Sequence, residues 1–227
     1  MKTVAVIPIK LNSSRVPNKN IKSFYDGTPL MSFIQRACLM ASSIDEVYVF
    51  CSDESVQSFI LPGVHFLKRP SYLDEDGINA NDIIREFMRL VNADVYVNAH
   101  ATSPFAKPET IDECVNQVKS GNYDSALCVE ELRTFLWMEG KPLNFNPDSF
   151  PRTQDLPTIY GETSIAYVFT RDSFIQNKRR MGQKPFFKTV GRIEAMDIDY
   201  QEDFDICNAI YKEMNENGGT NCRLYNS

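Results

Sequence analysis

The sequence is short of positive charge: 24 Lys and Arg stand against 30 Asp and Glu, for a formal net charge of -6. A nucleic-acid-binding domain ordinarily needs a net basic surface to collect phosphates, so nucleic acid is excluded as the expected partner. The six cysteines (Cys38, Cys51, Cys114, Cys128, Cys207, Cys222) form no CxxC or CxH pair. That removes the usual zinc spacings and leaves reduced, buried thiols of a cytosolic protein as the expectation. Long apolar runs are missing too. The opening MKTVAVIPIK is too short for a signal peptide or a membrane span, and no later run is longer, so a cytoplasmic protein with no membrane partner is expected. No internal repeat or low-complexity tract is present. Neither GxxxxGK[ST] nor GxGxxG occurs, which weighs against ordinary P-loop and nicotinamide-binding readings. One further absence is local: residues 1–25 carry Lys2, Lys10, Arg15, Lys19 and Lys22 but no acid, the first being Asp26. One basic segment in an acidic chain points to a local anion site rather than a polyanion-binding face.

What is present is an ordinary globular balance, 43% hydrophobic and 24% charged over 227 residues. A chain of that length buries roughly 70–75% of its unfolded surface and needs no staple. Thr3–Ile9 is rich in β-branched residues and almost wholly apolar, the mark of a strand covered on both faces. Short apolar runs then alternate with amphipathic stretches. Strands are predicted at Glu46–Cys51, Gly63–Leu67, Asp94–Asn98, Asp124–Val129, Ser164–Thr170 and Lys184–Val190. Helices are predicted at Leu30–Ala41, Ser55–Ile60, Ala80–Val91, Pro108–Ser120 and Gln201–Met214. The alternation predicts an α/β fold with a mixed, mostly parallel sheet in a three-layer α/β/α arrangement. It breaks over 130–163, where Pro142, Pro147, Pro151 and Pro157 accumulate. A stretch that long without regular structure reads as an arm, a lid or a dimerisation element. Residues 1–216 then form one domain and 217–227 a flexible tail.

Three segments carry candidate chemistry. In doubly wound folds, ligands bind beyond the carboxyl ends of the strands. Lys10, Arg15 and Lys19 follow the first strand and can surround a triphosphate, with Ser13 and Ser14 as further donors. Read alone, this loop is as well explained as a solvated basic turn. Near the other end, Asp197 and Asp199 lie two apart on an extended stretch, which puts both carboxylates on one side. A shared cation such as Mg²⁺ would relieve their repulsion; a solvated acidic face ahead of the last helix explains them equally. His100-Ala101-Thr102-Ser103-Pro104 follows the strand Asp94–Asn98, where polar groups would face the same crevice, although a lone His is more often structural than catalytic. Lys68-Arg69-Pro70 either reads a base or caps a sheet edge. Arg152 to Tyr160 places polar groups in the long excursion.

Taken in order, these segments resemble the cytidylyltransferases that activate acidic sugars, the CMP-acylneuraminate synthetases and related CMP-Kdo synthetases. The family's IPAR strand and SKRxPxKN loop appear as Ile7-Pro8-Ile9-Lys10 and Ser13-Ser14-Arg15-Val16-Pro17-Asn18-Lys19-Asn20. Its RPxxLxxD appears as Arg69 to Asp76, its QPTSP as His100 to Pro104, its RxQDxPxxY as Arg152 to Tyr160, and its ExxDIDxxxDF as Glu194 to Phe204. Five ordered motifs span nearly the whole chain. The resemblance implies a Rossmann-like nucleotide-diphospho-sugar transferase fold and a homodimer in which the excursion reaches the partner's active site. It implies CTP held by Lys10, Ser13, Arg15, Lys19, Asn20 and Arg69, and Mg²⁺ on Asp197 and Asp199. The acidic acceptor would fall to His100, Thr102, Arg152, Gln154, Tyr160 and Glu162. Catalysis would rest on Lys10, Arg15, Lys19 and Asp199, as an acceptor hydroxyl attacks the α-phosphorus and pyrophosphate leaves.

The chain departs from that pattern in places. Lys10 replaces an Arg and loses its bidentate fork; Leu11 and Asn12 replace glycines; His100 replaces a Gln; the usual NG is replaced near Glu162-Thr163-Ser164; Ala106 replaces an Arg. The nucleotide-side motifs are better kept than the sugar-side ones. A non-catalytic nucleotide-binding scaffold, or a transferase acting on a non-sugar acid such as a phosphonate, is the alternative expectation.

Overall fold

The structure is a computed structural model that describes residues 1–11 and 15–216. Seven strands form one sheet: β1 (Thr3–Pro8), β2 (Glu46–Cys51), β3 (Val64–Lys68), β4 (Val95–Ala99), β5 (Ser125–Leu132), and, past a small hairpin of β6 (Trp137–Met138) and β7 (Lys141–Pro142), β8 (Ile159–Thr170) and β9 (Pro185–Thr189). Five α-helices accompany them: α1 (Leu30–Met40), α2 (Ala80–Leu90), α3 (Pro108–Lys119), α4 (Arg171–Asn177) and α5 (Gln201–Glu216). The order across the sheet is β3-β2-β1-β4-β8-β5-β9. β8 runs antiparallel to β4 and β5, while the remaining neighbours pair in parallel. The expected mixed, mostly parallel α/β sheet is therefore present.

The apolar run of β1 has a direct physical reason. Its odd positions Ala5 and Ile7 enter the core shared with α1 and α3, while Val4 and Val6 enter the core shared with α2 and α4. Both faces are covered, so Val4 to Ile7 are all apolar and buried. Tyr96 in β4 is fully buried, and its hydroxyl donates to the Val91 carbonyl at 2.9 Å and accepts from Ala93 N and Arg171 Nη1 at 2.9 and 2.8 Å. That satisfied phenol fixes α4 to the end of β4. A third cluster, Phe24, Leu30, Phe33, Phe105, Ile198, Phe204 and Tyr211, holds α5 against the start of the chain.

The structure departs from the expected elements in three places. The predicted helix at Ser55–Ile60 is a 3-10 segment, Glu54–Phe59. α4 had no predicted counterpart. The excursion is shorter than 130–163, because β5 runs to Leu132 and β8 begins at Ile159. Thr163 lies in the bulge between these strands and donates its hydroxyl to the Cys128 carbonyl at 3.1 Å. Within the arm, the β6–β7 hairpin turns on Glu139 (φ 52°) and Gly140 (φ 76°). Two successive positive φ angles are what a tight two-residue hairpin needs. The expected tail 217–227 lies outside the described residues.

Candidate active site

The chain leaves β1 for β2 and β3 on one side and returns to β4 on the other, so the sheet order reverses between β1 and β4. Ligands in open α/β sheets bind outside the carboxyl ends of the strands at such a point. A cleft of about 390 Å³ opens there. Pro8 and Lys10 line it from the end of β1, Arg15, Lys19 and Asn20 from the following loop, and Asn98, His100, Ala101 and Thr102 from β4 and beyond. Ala80 and Ile83 of α2 complete the wall. A capping box between Asn79 and Asp82 starts that helix beside the cleft.

The basic loop and the acidic segment, some 180 positions apart in sequence, meet at this cleft. Lys19 is nearly buried; its ammonium donates to the Ile198 carbonyl and lies 3.3 Å from Asp199 Oδ1. Arg15 Nη1 lies 2.9 Å from Asp199 Oδ2, and its guanidinium sits 5.4 Å from the Tyr200 ring centre. Ile198 N in turn donates to the Thr102 carbonyl at 2.9 Å, which ties the acidic segment to the loop after β4. Asp203, in the first turn of α5, accepts from Asp199 N and Tyr200 N at 3.0 and 2.7 Å, so the segment is also fixed to its helix. Asn20 holds the loop by donating to the Lys10 carbonyl at 2.9 Å. Lys10 donates its ammonium to the Asp74 carbonyl at 2.6 Å, and the buried Arg69 pairs with the Asp74 carboxylate. Arg69 Nε is buried without a hydrogen-bond partner among the described residues.

Asp197 and Asp199 are not equivalent. Asp197 Oδ2 accepts from the Ser164 hydroxyl at 2.9 Å, while Oδ1 is buried with no partner among the described residues. A buried carboxylate oxygen without a donor is costly, and a hard divalent cation is a fitting partner. No group of three or more His, Cys, Asp or Glu able to hold a metal occurs among the described residues. An ion here would therefore complete its shell with substrate oxygens or water, as Mg²⁺ commonly does.

His100 stands at the other side of the cleft. Its Nε2 lies 3.3 Å from Asn98 Oδ1 and 3.2 Å from Arg180 Nη1. Burial, with the neighbouring Arg180 charge, pushes its pKa down to about 4. The imidazole is therefore neutral at physiological pH. Arg180 also donates to Asn98 Oδ1 at 3.0 Å, and its guanidinium lies 3.6 Å from the centre of the Tyr167 ring. Tyr167 donates its hydroxyl to Glu162 at 2.8 Å, and burial pushes the phenol up to about 12, so it stays protonated.

The structure thus gathers Lys10, Arg15, Lys19, Asn20, His100 and Thr102 around one cleft, with Asp199 bonded to two of them and Arg69 reached through Asp74. Glu162 does not line the cleft; it is linked to the lining residues Asn98 and His100 through Tyr167 and Arg180. Arg152, Gln154 and Tyr160 are not among the cleft-lining residues. Arg152 pairs with Asp155 at 2.8 Å, the Gln154 carbonyl accepts from Arg133 at 3.2 Å, and Tyr160 stacks edge-on against Phe187. Ser13 lies outside the described residues. Sequence reasoning missed Asn98, Tyr167 and Arg180; the run Lys178-Arg179-Arg180 after a helix was the one available signal for the last.

An α/β sheet with a cleft lined by Lys10, Arg15 and Lys19 at its switch point is an architecture open to many ligands, and fold alone does not set the activity. Comparison with known proteins makes the class specific: the chain belongs to the cytidylyltransferase family, whose model, described as Cytidylyltransferase, matches residues 4–221. It is 29% identical over 212 residues to N-acylneuraminate cytidylyltransferase A of Danio rerio, covering 89% of this chain and 49% of that protein. It is 25% identical over 191 residues to 3-deoxy-manno-octulosonate cytidylyltransferase of Koribacter versatilis, covering 84% and 66%. The chain spans about half the length of the first of these relatives. Among solved structures, CMP:2-keto-3-deoxy-manno-octonic acid synthetase complexed with CTP superposes with a TM-score of 0.70 at 18% identity, covering 94% of this chain and 99% of that one. That likeness shows the fold.

Proposed function

We propose that the chain transfers CMP from CTP to a hydroxyl of an acidic sugar of the sialic acid or 3-deoxy-manno-octulosonate class, releasing pyrophosphate. One observation carries the reading: Lys19 and Arg15 of the basic loop, which line the cleft, bond Asp199. The basic loop thus stands within bonding distance of Asp199, which supports a triphosphate site beside the acidic segment. The names of the relatives supply the base and the acceptor class.

Balanced by atoms, the acceptor hydroxyl oxygen bonds the α-phosphorus, the α–β phosphoanhydride breaks, pyrophosphate leaves and the hydroxyl proton passes to solvent. Lys10, Arg15 and Lys19 neutralise the charge that gathers on the leaving group; positioned charges of this kind carry most of phosphoryl-type catalysis. Arg15 and Lys19 are held in place beforehand by Asp199, so they need little reorganisation when phosphates arrive. Asp197 and Asp199 would hold Mg²⁺, which supplies charge neutralisation at the phosphates and lowers the pKa of a bound hydroxyl. His100, neutral at physiological pH, serves as a polar contact to the acceptor rather than a proton carrier.

Two further parts of the reading concern the setting. The arm exposes Trp137, Met138, Leu143 and Phe150, with Phe135, Phe145 and Phe150 in mutual ring contact. An exposed aromatic patch of this kind suits a homodimer contact. Cys38, Cys51, Cys114, Cys128 and Cys207 are free and buried, which suits a reducing cytoplasm. Among the described residues, no helix is long and apolar enough to cross a membrane. The test is phosphorus NMR of the chain with CTP, Mg²⁺ and N-acetylneuraminate or 3-deoxy-manno-octulosonate. Equal growth of a CMP-linked phosphodiester and pyrophosphate is expected; CTP left intact with every sugar acid would overturn the reading.

A further inference from the structure

We propose that Arg180 receives the carboxylate of the acceptor and is the residue that makes this chain select an acid. The inference rests on the function proposed above and deepens it. It starts from an imbalance of charge. Arg180 is half-buried, yet it makes no ion pair with a carboxylate among the described residues. Its only side-chain hydrogen bonds there are from Nη1, to Asn98 Oδ1 and His100 Nε2, both on neutral groups that line the cleft. The nearest acid it feels, Glu162, is occupied by the Tyr167 hydroxyl. A guanidinium held away from bulk water is normally paired, because an unpaired buried charge is costly. Nε and Nη2 are left without hydrogen bonds among the described residues. They form the edge that matches the two oxygens of a carboxylate.

A second observation points into the same place. Asn98 Nδ2 is buried and has no hydrogen-bond partner among the described residues, although its Oδ1 is used by Arg180. A donor so placed beside a cleft suits a ligand oxygen. The guanidinium is held by a ring and two bonds, and the Arg180 backbone by a third. Tyr167 lies under its plane at 3.6 Å, Asn98 and His100 bond its Nη1, and Arg180 N donates to Asn81 Oδ1 at 3.0 Å. Its chain segment is anchored just beyond, where Gly182 N donates to the Ser125 hydroxyl at 2.9 Å and Asp124 accepts from Gln183 N and Lys184 N at 2.7 and 3.0 Å. A group this well oriented loses little entropy on taking a ligand. Arg15 and Lys19 are engaged by Asp199 and Lys10 by the Asp74 carbonyl, whereas among the described residues Arg180 is the cation that bonds His100.

The test compares each sugar acid with its C1 carboxamide, which has the same shape but no charge, in wild type, Arg180→Gln and Arg180→Lys. Wild type should prefer N-acetylneuraminate, or 3-deoxy-manno-octulosonate, over the amide by about 100-fold in kcat/KM, the worth of a charge-assisted pair. Arg180→Gln should erase that preference, mostly through the KM of the acid, with the KM for CTP unchanged. Arg180→Lys should recover part of it. If Arg180 only props His100 and Asn98, acid and amide will fall together and their ratio will stay at its wild-type value, which overturns the inference. Stabilisation by CTP in a thermal shift shows that each variant is folded. Failure of the proposed function looks different: wild type itself would then turn over neither acid.

Discussion

Replacing Lys19 by Met tests how the two ends of the chain hold one another. Met keeps the length of the stem and its packing in a site only 7% exposed, but deletes the ammonium. Two contacts go: the hydrogen bond to the Ile198 carbonyl and the ion pair to Asp199 at 3.3 Å. The first is a buried charge-assisted bond, worth about 1.5–3 kcal/mol. The second is discounted, because the Asp199 side chain is 38% exposed and keeps Arg15 at 2.9 Å. A loss of about 2 kcal/mol follows, which lowers Tm by about 4–8 °C for a chain of this size. The effect on turnover should be larger, because removing one preorganised group at a developing charge costs about 10²–10³ in kcat. Equilibrium unfolding in urea gives the first number and pyrophosphate release the second. A midpoint within 0.2 M urea of wild type, about 0.4 kcal/mol for a typical slope, together with turnover within about threefold, would refute the proposed role of Lys19.

Other consequences can be checked separately. His100 has its pKa depressed from 6.5 to about 4, so the unfolded chain binds a proton that the folded chain refuses. Stability is fully present above about pH 6.5 and falls as pH drops toward 4, by at most about 3 kcal/mol; His100→Gln should flatten that slope in thermal melts, and an unchanged slope would refute the assignment. Gly182→Ala places a Cβ 2.3 Å from Asp124 Oδ1, and should cost about 2 kcal/mol by breaking the Asp124 anchor of the 182–184 segment; a wild-type urea midpoint would show that the segment adjusts freely. Trp137→Ser with Phe150→Ser should shift the chain toward monomer in sedimentation velocity, and an undisturbed dimer would move the interface elsewhere.

Where the physics is local, sequence and structure agree closely. The strand Glu46–Cys51 has the predicted bounds, and the buried run of β1 was recognisable because both its faces are covered. The cleft was legible because Lys10, Arg15 and Lys19 follow a strand end, and its acidic counterpart because Asp197 and Asp199 stand two apart. The unpredicted parts depend on distant partners. α4 spans seven residues, too few to show a helical period, and is held by Arg171 on Tyr96, 75 positions away. The start of β8, Tyr160-Gly161-Glu162, reads as a polar loop and becomes a strand only by pairing with Val129–Glu131. Arg180 acquires its meaning from Asn98 and His100, about 80 positions earlier. The carboxylate that bonds Arg15 and Lys19 was expected to serve a cation; the structure adds its ion pairs with the basic loop.

The most direct test of the account is the rate of pyrophosphate release from CTP, with Mg²⁺ and a sugar acid, by wild type and by Asp199→Ala. Wild type should release pyrophosphate in step with the CMP-linked product. Asp199→Ala should remain folded and stabilised by CTP, yet lose at least about 10² in rate. Near-normal release from Asp199→Ala, or none from wild type with any sugar acid, would contradict the proposal that the two charge poles meeting at this cleft form one active site.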